Sequence, residues 1–276
     1  MTWCAVDVRS PEDTRGAVAS WMVERTGQAV EERDDGTLVG FAATERDAGE
    51  LVRALDARFG PGVRGTARVL PEVDWSERWR DGLAPRSIGP LIVAPSWTAA
   101  GLDPATTVII DPESAFGTGE HGSTRAALAL LGRHLRPGGL VIDLGSGSGI
   151  LAIAAVKLGA ARAVGIEIDP EAEPVALANA ERNGVTGRVR FLTGDAAPLA
   201  PLVGPAGLVV ANILRSANVS LLTVVRESLV PDGLAVFSGM ERPERELFLP
   251  ELERAGFEAF DELVDESWWA VAARRR

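Results

Sequence analysis

The segment VIDLGSGSGILAIAAVKLG, residues 141–159, constrains the fold more than any other part of the chain. An apolar strand pattern runs to Asp143, a loop with three glycines follows, and an apolar helix pattern begins directly after it. Glycine has no Cβ, so such a loop can turn sharply and bring its backbone close to a ligand. Open α/β sheets bind ligands at these loops, at the carboxyl ends of parallel strands. The segment therefore predicts an α/β domain with a ligand site at Gly145, Gly147 and Gly149.

Strand and helix patterns alternate from about residue 106 to the end of the chain, beginning with the strand pattern TVIID. This alternation predicts a doubly wound, mostly parallel sheet with helices on both faces. The last two strand patterns, FEAFDE and WWAVAA, have no helix between them and predict an antiparallel C-terminal hairpin at one edge. Residues 1–70 follow the order strand, helix, strand, strand, helix, strand, which predicts a small ferredoxin-like α+β domain.

A linker over residues 71–105 is expected to join the small domain, 1–70, to the large domain, 106–276. Its first part, VDWSERWRDGL, predicts a short amphipathic helix with Trp75 and Trp79 on one face, and an apolar connecting strand follows. Two interpretations of the tryptophans stay open. They pack against a neighbouring domain, or they contact a ligand directly.

The charge of the chain limits its partners. The formal net charge is −11, which argues against direct nucleic-acid binding and is compatible with a basic macromolecular partner or a cationic ligand. A single cysteine and two histidines give no disulfide framework and predict no metal site. No apolar run reaches the roughly 18 residues of a membrane span, and no secretory signal pattern is present, so we expect a cytoplasmic protein. The oligomeric state stays open, with a monomer favoured.

Two details of the glycine loop indicate its ligand. A dinucleotide fingerprint has the spacing G-x-G-x-x-G, whereas this loop reads D-x-G-x-G-x-G. Asp143 is unfavourable beside a pyrophosphate and suits a ligand that carries an ammonium or sulfonium group. Glu167 ends the next strand, 22 residues after Gly145, where its carboxylate can accept both hydroxyls of a ribose. These features predict S-adenosylmethionine as the cofactor and leave a nicotinamide-dependent oxidoreductase as a remote alternative.

Three further residues stand where strands end and extend the predicted cofactor site. Ile168, directly after Glu167, is expected to cover one face of the adenine. Asp195 has two interpretations, as an acceptor for the adenine amino group or as a helix N-cap. Asn212 ends the strand in VVANIL, and a polar amide at an otherwise apolar strand end favours a functional role.

A second glycine-rich stretch, FGTGEHGSTR at residues 116–125, looks like a phosphate loop but lacks its lysine. Ser123 stands where the lysine would be, and a cation at that place would repel a sulfonium. We expect this loop to fold over the methionine end of the cofactor. It precedes a helix that we expect to pack beside the strand of the first glycine loop. The predicted cofactor contacts from this stretch are Phe116, Thr118 and Thr124.

Taken together, these motifs resemble those of the bacterial methyltransferases that modify large-subunit ribosomal protein eleven. The resemblance covers nearly the whole chain and includes DWSERWRDGL, AFGTGEHGSTR, VIDLGSGSGILAIAAVKLGA, GIEIDP, NAERNG and VVANIL. It implies methylation of amino groups, on lysine side chains or the N-terminus, of a basic ribosomal protein that the N-terminal domain recognises. It also implies cofactor contacts at Thr124, Gly145, Glu167 and Asn212.

The chain departs from the family pattern at a few positions. Gly122 and Ser123 stand where the family commonly has Pro and Thr, and Glu167 stands for the common Asp. The sequence also diverges after Leu214. No required group is lost. A different protein or a small molecule stays open as the acceptor, and so does a non-catalytic binding module that has kept the fold.

Methyl transfer from a sulfonium is a direct displacement, so the protein mainly positions and desolvates the reactants. The acceptor must be a neutral amine, and deprotonating a lysine with a pKa of about 10.4 at pH 7 costs about 4.6 kcal/mol. A desolvated site that carries positive charge lowers this cost. Asn212 is the candidate for orienting the amine, and His121 is the candidate for handling its proton.

Overall fold

The computed structural model describes residues 4–27, 30–33, 35–69, 83–111 and 117–276. The chain forms two compact units, Met1–Gly82 and Leu83–Arg276. The predicted linker helix with Trp75 and Trp79 lies outside the described residues, and so does Phe116.

The first unit is a four-stranded antiparallel sheet with two helices on one face. Its elements are, in chain order, β1 (Cys4–Arg9), α1 (Glu12–Thr26), β2 (Glu31–Glu32), β3 (Leu38–Ala42), α2 (Glu45–Phe59) and β4 (Arg64–Val69). The strand order β2-β3-β1-β4 confirms the predicted ferredoxin-like arrangement. Side chains alternate along a strand, so Cys4, Val6 and Val8 of β1 all face the helices and are buried there.

The second unit begins with a small sheet of β5 (Arg86–Ile88), β6 (Leu91–Ala94) and β7 (Thr107–Ile109). β6 pairs antiparallel with β5 and parallel with β7. The prediction that TVIID belongs to the large parallel sheet is therefore wrong, since it pairs with the strand from the 71–105 connection. The Asn183 side chain donates to the Ile109 carbonyl at 2.7 Å and accepts from the Ile109 N–H at 2.9 Å. It thereby occupies the backbone groups through which β7 would pair with a further strand.

A seven-stranded sheet forms the centre of the second unit. Its strands are β8 (Leu140–Leu144), β9 (Arg162–Glu167), β10 (Val189–Thr193), β11 (Ala206–Asn212), β12 (Leu229–Glu241), β13 (Phe257–Asp265) and β14 (Trp268–Arg275). The order is β10-β9-β8-β11-β12-β14-β13, in which the first five strands are parallel and β14 is antiparallel to both its neighbours. This arrangement confirms the predicted doubly wound sheet with an antiparallel C-terminal hairpin.

The helices described in this unit cover the sheet. They are α3 (Gly122–His134), α4 (Ile150–Lys157), α5 (Ala172–Arg182), α6 (Ala196–Val203), α7 (Arg215–Glu227) and α8 (Arg245–Arg254). α4 follows the first glycine loop and is buried from Ile150 to Val156, which explains why its sequence is apolar without a polar face. α3 packs mainly against β12, β13 and β14 rather than beside β8, where we expected it. The hairpin strands extend the sheet on that side and present acidic partners to the arginines of α3.

The strand order changes direction between β8 and β11, and open α/β sheets bind their ligands at such a point. Asp143 on β8 is paired with Val210 on β11, so Asn212 lies two residues further toward the carboxyl edge. Within the described part of the chain, no helix combines the length and apolar character needed to cross a membrane. The same residues contain no group of His, Cys, Asp and Glu that could hold a metal ion.

Candidate active site

The two glycine-rich loops lie against each other at the carboxyl edge of the large sheet. The Ser148 hydroxyl of the first loop donates to the carbonyl of Gly117 in the second. Gly117 has φ +101°, and a Cβ at this residue would lie 3.0 Å from the Ser148 oxygen. A Cβ on Gly119 would lie 2.8 Å from Val93. Gly117 thus lets the second loop approach the first, and Gly119, with φ +85°, lets it approach β6.

The glycines of the first loop have positive φ angles of 70°, 48° and 80° at positions 145, 147 and 149. A Cβ on Gly145 would lie 2.4 Å from Ile213, and one on Gly149 would lie 2.5 Å from the Phe191 ring. The Gly145 N–H donates to the Ile166 carbonyl at 2.8 Å. Both the backbone conformation and the surroundings therefore exclude other residues at positions 145 and 149.

Asp143 is fully buried beneath this loop. One carboxylate oxygen accepts from the Ala152 N–H at 3.0 Å, whereas Oδ1 has no hydrogen-bond partner among the described residues. Burial, with a smaller contribution from the nearby charge of Glu167, raises the pKa of Asp143 to about 7. The buried Ser146 hydroxyl also lacks a partner among the described residues. Buried polar atoms without partners are rare, so this pair marks a place where a ligand or water would bind.

Glu167 ends β9, as predicted, but its carboxylate is already engaged by the backbone. Oε2 accepts from Gly147 N–H at 2.9 Å, and Oε1 accepts from the Ile168 and Asp169 N–H groups at 2.8 and 3.1 Å. A carboxylate has about four lone-pair sites, so about one is left in this conformation. Binding both hydroxyls of a ribose requires this side chain to exchange some of its backbone bonds. Ile168 beside it is 73% exposed, as an adenine cover would be.

Asp195 begins α6 as its N-cap. Its side chain accepts from the Ala197 N–H at 2.9 Å, which is the structural interpretation left open from the sequence. The cap uses Oδ1 only. An adenine contact through the other oxygen stays a prediction.

Asn212 and Thr124 are hydrogen-bonded to each other across 88 residues of sequence. The Asn212 Nδ2 group donates to the Thr124 hydroxyl at 3.1 Å, and Asn212 Oδ1 is buried without a partner among the described residues. Thr124 itself is fully buried in the first turn of α3. In this orientation of the amide, the oxygen is the end that is available to a ligand.

An apolar pocket of about 430 Å³ lies beside this amide. It is lined by His121, Ser123, Asn212, Ile213, Leu214, Ala217, Gly239 and Trp268. The His121 ring lies on the Trp268 indole, with ring centres 4.3 Å apart, and its Nδ1 is 2.7 Å from the Ser123 hydroxyl. The pocket can take an aliphatic chain that carries a polar group at its end. Thr118 lies outside this lining, and its hydroxyl accepts from the Glu120 N–H at 3.4 Å.

Three structural residues of the site escaped the sequence analysis. Trp268 is part of WWAVAA, which predicted only a strand. Asn179 is fully buried, and its Nδ2 group donates to the Ser148 carbonyl at 2.9 Å, so it fastens the first loop to α5. An asparagine on the apolar face of a predicted helix was a readable signal. Ser148 gave no signal, because its partner Gly117 is 31 residues away.

Comparisons with known proteins agree with this geometry. The chain matches the family model described as Ribosomal protein L11 methyltransferase (PrmA) over residues 7–276. It is 44% identical over 228 residues to the Ribosomal protein L11 methyltransferase of Thermus thermophilus, which covers 82% of this chain and 87% of the relative. The protein of the same name from Aeromonas salmonicida is 32% identical, with 100% of this chain and 99% of the relative covered.

A solved structure gives the same result. The crystal structure of ribosomal protein L11 methylase from Lactobacillus delbrueckii subsp. bulgaricus superposes with a TM-score of 0.63 at 28% identity. The superposition covers 70% of this chain and 100% of that chain. These similarities favour a methyltransferase over the nicotinamide-dependent oxidoreductase that the glycine loop alone left open.

Proposed function

The chain belongs to the family of ribosomal protein L11 methyltransferases, and we propose that it transfers methyl groups from S-adenosylmethionine to amino groups of ribosomal protein L11. The observation that carries this proposal is the Asn212 amide oxygen, which has no hydrogen-bond partner among the described residues and lies at the edge of an apolar pocket. An amide oxygen accepts a hydrogen bond from an amine, and an apolar channel suits the four methylene groups of a lysine side chain.

The cofactor side fits S-adenosylmethionine by its chemistry. The Asp143 oxygen that has no partner in the described part of the chain suits the positive charges of the methionine end, and Glu167 suits the ribose. The positive-φ glycines keep side chains out of the space above the first loop. Ile168 and Asp195 are the residues we assign to the adenine. When bound, the cofactor would supply an electrophilic methyl group on its sulfonium, and the neutral thioether S-adenosylhomocysteine would be the leaving group.

On the acceptor side, the chain's own residues have two tasks. The apolar lining of the pocket favours the neutral form of an amine, because burial lowers the pKa of a basic group. Asn212 Oδ1 accepts from one N–H of that amine and so directs the nitrogen lone pair. The ammonium form of the acceptor first loses a proton, to solvent or to His121, and becomes the neutral amine. We assign this proton to His121 because its imidazole lines the pocket.

The acidic chain, with a net charge of −11, suits a basic ribosomal protein as the substrate. We assign recognition of that protein to the first unit and the chemistry to the second. Ribosomal proteins are made and assembled in the cytoplasm, so the proposal also places the enzyme there.

The test combines two measurements on the purified protein. Isothermal calorimetry is expected to show binding of S-adenosylmethionine. Mass spectrometry of ribosomal protein L11, after incubation with enzyme and cofactor, is expected to show added methyl groups on lysine or N-terminal peptides. If a total ribosomal protein extract gains labelled methyl groups on another protein and L11 gains none, the acceptor assignment is wrong. The methyltransferase assignment then stands.

A further inference from the structure

Arg125, in the first turn of α3, joins two parts of the chain that are 140 residues apart. Its guanidinium forms a two-point pair with the Asp265 carboxylate, with Nε–Oδ2 and Nη2–Oδ1 distances of 2.7 Å each. Nη2 also donates to Glu266 at 2.8 Å, and Nη1 donates to the Glu120 carbonyl. The residue is only 9% exposed. One side chain thus connects the second glycine loop to the turn between β13 and β14.

This connection differs from an ordinary surface ion pair. Exposed pairs contribute little because solvent screens them and the side chains lose freedom. Arg125 is buried, and its planar guanidinium bonds to the hairpin turn and to the second glycine loop at the same time. Such a geometry orders the segments that it joins. Hydrogen bonding from Arg125 lowers the pKa of Asp265, so the carboxylate stays ionised at neutral pH. The turn is therefore held by a charged, directional contact at neutral pH.

The same turn touches the start of α3 at two further places. A Cβ on Gly122 would lie 2.9 Å from the Asp265 carbonyl oxygen and 2.9 Å from the Trp268 ring. Trp268, the first residue of β14, in turn lies on His121. Gly122 stands where proline is common in the family that this chain resembles. Here the space of a side chain is taken up by the hairpin turn.

We propose, on the basis of the proposed function, that Arg125 is a positioning residue for methyl transfer. It fixes the turn Asp265–Trp268 against the second glycine loop and so holds Trp268 and His121 as one wall of the acceptor pocket. Arg125 acts through Trp268 and does not touch the acceptor. The first glycine loop and Glu167, which form the cofactor side, have no hydrogen bond to Arg125.

The main variant is Arg125→Lys, which keeps the charge but cannot form the two-point pair together with the other two bonds. We expect kcat toward ribosomal protein L11 to fall about 10- to 100-fold, because a misplaced reactant loses this much. The KM for L11 and the affinity for S-adenosylmethionine are expected to stay within about threefold of wild type. A fall in cofactor affinity as large as the fall in kcat would overturn the positioning role.

Arg133→Lys is the matched control. Arg133 lies on the same helix and pairs with Asp261 of the same hairpin, but its side chain is half exposed and lines no part of the pocket. We expect it to leave kcat unchanged. An equal loss in both variants would show that any loosening of the hairpin suffices, and the specific role of Arg125 would be wrong.

Hydrogen–deuterium exchange separates this proposal from the proposed function, since it needs no acceptor. In Arg125→Lys we expect faster exchange in residues 262–270 and unchanged exchange in residues 141–159. Unchanged exchange in the hairpin turn overturns the proposal even if L11 is methylated. If wild-type enzyme leaves L11 unmethylated, the proposed function fails, and the exchange result still decides whether Arg125 holds the turn.

Discussion

The cofactor side and the acceptor side of this site are built in different ways. On the proposed cofactor side, Asp143, the three glycines and Glu167 lie within 25 residues of sequence, and backbone N–H groups bond to the Glu167 carboxylate. On the acceptor side, His121, Asn212 and Trp268 come from three distant parts of the chain. The first side therefore depends on local backbone conformation, and the second depends on packing between elements.

The largest expected effect is on the cofactor side. Gly145→Ala combines a positive φ of 70° with a Cβ only 2.4 Å from Ile213, so the loop has to move. We expect the affinity for S-adenosylmethionine to fall about 100-fold or more, as for a displaced binding group. Calorimetry with the purified variant measures this loss.

Gly184→Ala is the control for the backbone strain that alanine introduces at a positive φ. Gly184 has φ +65° and no atom within 4 Å of a built Cβ. It should lower stability by about 1–2 kcal/mol through strain alone, with normal cofactor affinity. Equal affinities in the two variants would mean that the first loop does not depend on the close approach of Ile213.

The next effect belongs to the acceptor side. Asn212→Ala removes the unpartnered amide oxygen, and we expect kcat to fall about 100-fold, as it does when a single positioned hydrogen-bond group is lost from an active site. Cofactor affinity should change less than kcat. Steady-state kinetics with L11 as the acceptor, together with calorimetry, separate the two quantities.

Thr124 tests whether a residue that bonds to Asn212 also contacts the cofactor. Its hydroxyl is buried and accepts from Asn212, although the sequence predicted a cofactor contact. Thr124→Ala should lower kcat about tenfold by releasing the Asn212 amide, and Thr124→Ser should restore it because the hydroxyl remains. Loss of cofactor affinity without loss of kcat would instead return Thr124 to the cofactor side.

A smaller expected effect is the pH dependence that Asp143 gives to the stability of the cofactor-free protein. Burial raises the pKa of Asp143 from 3.8 to about 7 in the folded protein. Between these two values the unfolded chain releases a proton that the folded protein keeps, so the cofactor-free protein loses stability as the pH rises to about 7. Asp143→Asn removes this dependence. Urea unfolding at pH 5 and pH 8 should show a larger loss for wild type, and parallel losses would contradict the burial argument.

Cofactor binding should show the opposite trend for this residue. An ionised Asp143 attracts a cation, so the wild-type affinity for S-adenosylmethionine should rise between pH 6 and pH 8. In Asp143→Asn we expect an affinity about tenfold lower and nearly independent of pH, since the charge partner is absent. Calorimetry across this range measures both. A steep pH dependence in the variant would assign the effect to another group.

The smallest effect distinguishes two roles of Asp195. Asp195→Ser keeps an N-cap but has a shorter side chain, whereas Asp195→Ala loses the cap at a cost of about 1 kcal/mol. If Asp195 also contacts the adenine, both variants should bind S-adenosylmethionine about three- to tenfold more weakly, as when one hydrogen bond is lost. Normal binding by the serine variant would leave Asp195 with the cap alone. Thermal unfolding and calorimetry give the two readouts.

Much of the fold was readable from the sequence because its signals are local. Alternating apolar patterns predicted the doubly wound sheet and the ferredoxin-like order of the first unit. The prediction that TVIID joins the large sheet was wrong because an apolar strand pattern does not say which sheet the strand joins. Here the side chain of Asn183 bonds to the edge of β7. The predicted position of α3 beside β8 was also wrong, because its partners on β13 and β14 are far away in sequence.

The spacing of Asp143, the three glycines and Glu167 was enough to indicate both the strand-loop-helix turn and the chemistry of its ligand. For the proposed acceptor side the sequence named His121 and Asn212 as candidates, but the tertiary structure was needed to assemble the pocket around them. It brought Trp268 onto His121, turned the Asn212 oxygen away from Thr124 and held the hairpin turn with Arg125. Backbone conformation is encoded within a few residues. Contacts across 88 or 140 residues depend on how whole elements pack, and no local pattern records them.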